Sequence, residues 1–154
     1  MEFKTELCEI AFKYRTDKCP QIRHSYTPVY YELLKDKRNS IKKVLEIGVG
    51  TAFSMRHVPD YIVGASHKMW KEFFPNAQIY GIDIDLTDFL PEERIEMFLM
   101  DSTKPQNIET LIQRIGSDLD LVVDDGSHWA QNQLNLAKVL IPLLTGDFIY
   151  IIED

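Results

Sequence analysis

The feature of this 154-residue sequence that most restricts its fold is a repeated alternation of short apolar segments with longer amphipathic ones. The short segments each end in a carboxylate or a glycine loop, and they predict strands at 43–47, 78–83, 94–101, 120–125 and 147–154. Strands that alternate with helices form βαβ units, which build a parallel sheet. We therefore expect an α/β protein with a Rossmann-like, doubly wound parallel sheet in the strand order 3-2-1-4-5.

Two helices are expected before the first strand. The first carries apolar residues at helical spacing up to Tyr14, and the second begins at Thr27-Pro28, a capping residue followed by proline. The sequence contains no repeat, low-complexity tract or evident linker. We expect a single domain over 1–154, with a helical segment at 1–40 and the sheet core at 41–154.

Charge and hydropathy exclude two classes of partner. The formal net charge is −7 and no concentrated basic face is evident, which argues against binding to nucleic acid. The charged N-terminus is unlike a signal peptide, and no apolar run approaches the roughly 20 residues of a membrane helix. We expect a cytoplasmic protein with no membrane partner.

The first strand is followed by LEIGVGTAF, in which Gly48 and Gly50 would let the backbone approach a ligand closely. The alternative is a tight turn without a ligand. A nicotinamide-dependent oxidoreductase is less favoured, because the dinucleotide fingerprint needs a third glycine where the helix opens. Here the next glycine is Gly64, after a long insertion.

Three acidic residues suggest a cationic nucleoside ligand. Glu46 lies inside an apolar strand, where a carboxylate is costly unless it is paired, and a ligand amine could provide that pairing. Asp83 ends the second strand and is placed to accept from both hydroxyls of a ribose. Asp101 ends the third strand and is placed to accept from an adenine amino group.

The run Asp124-Asp125-Gly126-Ser127-His128 ends the fourth strand. Adjacent acids point to opposite sides of a strand, so we expect Asp124 to face the cofactor and Asp125 the open cleft. His128 has the near-neutral pKa wanted of a general base. The alternative is a capped loop with an exposed histidine.

The expected strand order places Glu153 and Asp154, which end the fifth strand, near Asp125. Three carboxylates would repel one another unless a cation binds, and oxygen ligands suit Mg²⁺. The alternative is a charged, frayed terminus.

The segments VLEIGVG, YGIDID, FLMDS and LDLVVDDGSH, in this order and spacing, resemble those of class I S-adenosylmethionine-dependent methyltransferases. The resemblance implies that Glu46, Gly48 and Gly50 surround the methionine part of the cofactor, that Asp83 binds the ribose, and that Asp101 lies by the adenine. Because the insertion displaces the next helix, Gly64 and Ser66 at its start are the candidates for holding the methionine carboxylate.

DDGSH together with IED narrows the resemblance to metal-dependent sugar O-methyltransferases of macrolide, mycinamicin-type, biosynthesis. By this resemblance Asp125, Glu153 and Asp154 would hold Mg²⁺, and His128 would deprotonate a hydroxyl of a small-molecule acceptor. The segments YRTDK and RHSYTPVY resemble a part that lies over the cofactor in relatives. Its lining candidates are Thr16, which we assign to the cofactor, and Lys18, His24 and Tyr26.

The family pattern continues beyond the fifth strand with a sixth and a seventh strand. We expect both to be absent here, so that the fifth strand is a free sheet edge that could pair with a second copy. The alternative function is a truncated cofactor-binding module or subunit without activity of its own.

Overall fold

The computed structural model describes residues 2–154. In chain order its elements are α1 (Glu6–Tyr14), α2 (Tyr26–Leu34), β1 (Lys43–Ile47), α3 (Ala65–Phe73), β2 (Gln78–Asp83), β3 (Ile95–Leu99), α4 (Pro105–Ile115), β4 (Leu121–Asp124), α5 (Ala130–Leu140) and β5 (Ile149–Ile152). The five strands form one parallel sheet in the order β3-β2-β1-β4-β5, which confirms the predicted fold class. Single 3₁₀ turns follow α2 and α5.

The two faces of the sheet are covered by different helices. Val44 and Ile79 pack with α1, α2 and α3 on one face, which we call the N-terminal face. Leu45 and Ile82 pack with α4 and α5 on the other. Successive residues of a strand point to opposite faces of the sheet. Within any one strand, residues two positions apart therefore contact the same set of helices.

The register brings the carboxyl ends of the strands to one edge. Ile47 pairs with Ile82 on one side and with Asp124 on the other, and Asp124 pairs with Ile152. The chain therefore leaves β1, β2, β4 and β5 at the same level. Ligands bind at this edge in open parallel sheets.

Two helix starts differ from the prediction. α2 begins at Tyr26, and Thr27 is buried against the Cys8 thiol, with 3.1 Å between Thr27 Oγ1 and Cys8 Sγ, instead of capping the helix. α3 begins after Gly64, which has a positive φ of 77° and makes no side-chain cap. Ser66 thus lies inside the first turn and its hydroxyl is free for another partner. None of the helices within residues 2–154 is long and apolar enough to cross a membrane.

Gly81 in β2 tests how tightly the sheet packs on α3. A Cβ there would collide with Met97 Sδ and His67 Nε2, both on the N-terminal face. We expect Gly81→Ala to lower the free energy of unfolding by about 2–3 kcal/mol through overpacking, measured by urea denaturation. Gly146→Ala is the control, because nothing lies within 4 Å of its added Cβ and only its positive φ adds about 1 kcal/mol. Equal losses in the two variants would contradict this account.

Candidate functional site

A cavity of about 710 Å³ opens at the carboxyl edge of the sheet. Its walls come from the loops after β1, β2, β3 and β4, from the end of β5, and from the segment between α1 and α2. This volume is in the range of small-molecule and cofactor sites. Of the predicted cofactor and chemical residues, those that line it are Thr16, Gly48, Gly50, Ser66, Asp83, Asp101, Asp125, His128, Glu153 and Asp154.

The glycine loop is held by Asp83. Its Oδ2 accepts hydrogen bonds from the backbone N–H groups of Val49 at 2.7 Å and Gly50 at 3.2 Å. Gly48 has a φ of 94°, and a Cβ there would overlap the carbonyl oxygen of Asp125. The glycine is therefore required by the close approach of the loop after β1 to the loop after β4.

Asp101 lies on the rim of the cavity beyond β3. Its Oδ1 accepts from the Thr103 hydroxyl at 2.6 Å and from the Thr103 N–H at 2.9 Å. The hydrogen bond from the Thr103 side chain lowers the pKa of Asp101. The carboxylate thus stays ionised at neutral pH and faces the cavity as a hydrogen-bond acceptor.

Glu46 does not line the cavity, and its predicted pairing with a ligand amine needs correction. The side chain is fully buried; Ser66 Oγ donates to Oε1 at 2.5 Å, and Trp70 Nε1 donates to Oε2. Glu46 has the same parity as Val44, so it points at α3 on the N-terminal face. Its carboxylate is satisfied within the protein.

Gly64 and Asp124 also lie away from the cavity. At Gly64 a Cβ would meet the Phe89 ring, so this glycine serves packing at the start of α3. Asp124 is 1% exposed and has the parity of Val122, which places it on the α4 and α5 side of the sheet. Its Oδ2 has no hydrogen-bond partner among the described residues, and burial raises its pKa. Of the two adjacent acids, only Asp125 lines the cavity.

The ammonium of Lys18 lies at the centre of the carboxylate cluster. Lys18 is 1% exposed, and its Nζ is 2.5 Å from Asp125 Oδ2, 2.6 Å from Glu153 Oε2 and 3.6 Å from Glu46 Oε1. Burial by itself would lower the pKa of Lys18, but the three carboxylates raise it well above its ordinary value. The lysine is therefore a permanent internal cation. We call Lys18, Glu46, Asp125 and Glu153 the buried ion cluster.

Glu153 is held at both oxygens. Tyr30 donates to Oε1 at 2.5 Å, opposite the Lys18 contact at Oε2. Burial raises the pKa of Glu153 to about 8; Asp125 and Glu46 add to the rise and Lys18 opposes it. Lys18 thus favours the ionised form of Glu153 against the effect of burial.

Asp154 has a different partner. Its Oδ1 accepts from the Tyr26 hydroxyl at 2.7 Å, and this hydrogen bond lowers the pKa of Asp154. The Tyr26 ring stacks on His24, with 4.9 Å between the ring centroids. The residues Tyr26 and His24, expected to line the site, thus form its wall beside β5.

The predicted Mg²⁺ set of Asp125, Glu153 and Asp154 is not gathered around one point. Within residues 2–154 no group of three or more His, Cys, Asp and Glu side chains is arranged to hold a metal ion. The physical reason is that Lys18 occupies one oxygen each of Asp125 and Glu153, while the Tyr26 hydroxyl holds Asp154 separately. The three carboxylates nevertheless line the same cavity.

His128 faces the cavity next to Asp125. Its Nε2 lies 3.3 Å from Asp125 Oδ1, and its backbone has a positive φ of 56°. About half of the side chain is exposed. The imidazole is thus accessible to a ligand and is oriented by the acid that also contacts Lys18, an arrangement seen in general bases.

Sequence reasoning missed the part of the wall formed by the insertion after Gly50. Tyr61 donates to the carbonyl of Val49 at 2.8 Å, and Asp17 Oδ2 lies 3.7 Å from His24 Nε2 and 3.9 Å from His57 Nε2. All four side chains line the cavity. The polar and aromatic residues of 51–63 were the sequence signal that could have indicated this part of the wall.

Comparisons with known proteins agree with this site. The chain is 36% identical over 151 residues to mycinamicin VI 2''-O-methyltransferase of Micromonospora griseorubida, which covers 98% of this chain and 36% of that protein. It is 35% identical to demethylmacrocin O-methyltransferase of Streptomyces fradiae, with the same coverage. No protein-family model matches.

Solved structures give the same result. The fold matches MycE methyltransferase from the mycinamycin biosynthetic pathway, in complex with Mg, SAH and mycinamycin VI, with a TM-score of 0.84 and 36% identity over 98% of this chain and 39% of that one. This chain is related to O-methyltransferases of macrolide biosynthesis. The resemblance drawn from its motifs is thereby confirmed. The chain spans only about a third of the length of the curated relatives that it matches, 36% in each of the two compared.

Trp70 tests whether Glu46 is a structural acid. Trp70→Phe removes the donor to Glu46 Oε2 and leaves a buried carboxylate oxygen unpaired. We expect the free energy of unfolding to fall by about 2–3 kcal/mol, measured by chemical denaturation. The control is Tyr14→Phe, which removes a donor to Glu72 while Lys13 still contacts that carboxylate, so we expect a change within about 0.5 kcal/mol. A loss of the same small size in Trp70→Phe would rule out this role.

Proposed function

We propose that this chain binds S-adenosylmethionine in the cavity at the carboxyl edge of the sheet and forms the cofactor-binding part of an O-methyltransferase. The acceptor would be a hydroxyl of a sugar or natural product, with Mg²⁺ assisting. The observation that carries the proposal is that the glycine loop, the rim acids Asp83 and Asp101, and the Asp125–His128 pair all line one cavity. Relatives named as O-methyltransferases support it.

The charge of the cavity fits a cationic cofactor. Within residues 2–154, only two permanently charged cations line it, Lys18 and Arg23, and Lys18 is already paired. The lining carboxylates outnumber them; these are Asp17, Asp83, Asp85, Asp101, Asp125, Glu153 and Asp154. A sulfonium ligand would be attracted to such a surface, whereas the pyrophosphate of a nicotinamide dinucleotide would be repelled.

Each part of the cofactor has a matching group on the protein. Because Gly48 has no side chain, the loop that follows β1 lies directly against the backbone of Asp125 and lines the cavity there. Asp83 holds that loop through Oδ2, while Oδ1 accepts from the N–H of Asp85 at 3.1 Å and keeps a lone pair for a ribose hydroxyl. Thr16 and Asp101 also line the cavity, and we assign both to the cofactor, with Asp101 at its adenine.

The donors near His128 suit Mg²⁺ in their chemistry, since Asp125, Glu153 and Asp154 all offer oxygens to the cavity. When bound, Mg²⁺ would lower the pKa of the acceptor hydroxyl. His128 would take the proton from that hydroxyl, and Asp125 would orient its imidazole. The walls formed by Tyr26 and Tyr61 would position the reactants, the source of much of the rate in a methyl transfer.

Cofactor binding is tested by calorimetric titration of S-adenosylmethionine into the 154-residue chain. We expect binding in the wild type and a loss of about 10–100-fold in Asp83→Asn, because a charge-assisted acceptor for the ribose is removed. Asp85→Asn is the matched control, since this neighbouring carboxylate bonds the Thr87 hydroxyl instead and should leave affinity within about threefold. An unchanged affinity in Asp83→Asn would refute the ribose assignment. Binding of a nicotinamide cofactor instead would refute the proposed function.

The base is tested with glycosylated macrolides as acceptors, mycinamycin VI among them. We expect His128→Ala to lower turnover by about 10²–10⁴-fold while S-adenosylmethionine affinity is retained, because only proton transfer is lost. His57→Ala removes another histidine of the cavity wall and should keep turnover within about tenfold. Full turnover in His128→Ala would assign the base to another group. Cofactor binding without turnover in the wild type would favour a binding module or subunit.

A further inference from the structure

The buried ion cluster already contains a cation, the Lys18 ammonium. This affects how Mg²⁺ could bind there, and the inference below rests on the proposed function. Lys18 Nζ donates to Asp125 Oδ2 at 2.5 Å and to Glu153 Oε2 at 2.6 Å. These are two of the three carboxylates proposed for Mg²⁺. One ammonium thus occupies carboxylate oxygens that a divalent cation would need.

The backbone of Lys18 fixes the position of its ammonium. The Lys18 carbonyl accepts the N–H groups of both Tyr26 and Thr27, each at 3.1 Å, at the start of α2. The neighbouring Thr16 N–H bonds to the Ala11 carbonyl at 3.1 Å, at the end of α1. The residue is thus tied to two helices, and its side chain is only 1% exposed. This anchoring holds the ammonium beside Asp125 and Glu153.

We propose that Lys18 is the resident counter-cation of the carboxylate cluster, and that it competes with a divalent metal ion for Asp125 and Glu153. Two cations that share these carboxylates lie within a few ångströms and repel each other strongly in a buried site. The lysine therefore weakens metal binding in this chain while keeping the metal-free cluster intact. Its removal would leave three carboxylates facing one another, a set that calls for a replacement cation.

The opposite account is that Lys18 is only a scaffold. In that case the lysine would hold Asp125 and Glu153 in place for the metal, and its loss would disorganise the site. The two accounts predict opposite signs for the change in metal affinity. A measurement of Mg²⁺ binding therefore separates them without any assay of turnover.

The experiment is calorimetric titration of MgCl₂ into the wild-type chain and into Lys18→Met, which keeps the length of the side chain without its charge. We expect Mg²⁺ to bind Lys18→Met at least about tenfold more tightly, since the repulsion by the ammonium is gone. Tyr30→Phe is the matched control: it removes a neutral donor to Glu153 Oε1 and retains the ammonium. It should not tighten Mg²⁺ binding. Equal or weaker Mg²⁺ binding in Lys18→Met would overturn the proposal.

Folding of Lys18→Met provides a second test. The variant exposes buried carboxylates to one another, so we expect a lower melting temperature without metal and a larger rise on adding MgCl₂ than the wild type shows. A variant that stays unfolded in excess MgCl₂ would overturn the proposal, because Mg²⁺ would then be unable to replace the lysine.

Titration of S-adenosylmethionine into the same samples distinguishes an error in the proposed function from an error in the role of Lys18. If the wild type binds neither S-adenosylmethionine nor Mg²⁺, the proposed function is wrong. If the wild type binds both, and Lys18→Met shows no gain in Mg²⁺ affinity, only the role of Lys18 is wrong. If S-adenosylmethionine binds and Mg²⁺ binds to neither chain, both the metal and the competition are excluded.

Discussion

The pairing of one buried ammonium with three carboxylates is the interaction on which the rest of this site depends. Glu46, Asp125 and Glu153 come from or directly follow three adjacent strands, and the parity of their positions turns all three toward the N-terminal face. Without a cation, the buried carboxylates of Glu46 and Glu153 and the neighbouring Asp125 carboxylate would be costly to hold together. Lys18 provides that cation from the segment between α1 and α2, so the first two helices are tied to the carboxyl edge of the sheet as well as to its apolar face.

The fold could be predicted because its signals are local. Each strand is a short apolar run that ends at a glycine or an acid, and α4 is bounded by Pro105 and Gly116. The strand order is the usual one for a doubly wound sheet. Because parallel strands that pair in register end together, the strand order also predicts that Gly48, Asp83 and Asp125 lie at one edge of the sheet.

Side-chain partners were less predictable, because they depend on which helices cover each face. Glu46 looked like a ligand acid, since its donors lie 20 and 24 residues further along the chain, in α3. The assignment of Asp124 to the cofactor failed for the same reason: alternation shows that Asp124 and Asp125 diverge, but only the packing of α1 and α2 shows which one meets the cavity. Lys18 lies 107 and 135 residues from its two closest partners, a separation that no local pattern reveals.

The contact between Gly48 and Asp125 brings the two halves of the proposed site, the glycine loop and the acidic loop, into one cavity. The loop after β1 and the loop after β4 touch backbone to backbone, and a methyl group at Gly48 would already fill the gap. A ligand held along the glycine loop therefore lies beside Asp125, and His128 Nε2 is 3.3 Å from that carboxylate. Methyl transfer requires donor and acceptor atoms to meet in line, and much of its rate comes from alignment rather than from reactive side chains. With the loop after β1 set against the acidic loop after β4, backbone geometry alone would bring a cofactor bound as proposed next to the Asp125–His128 pair.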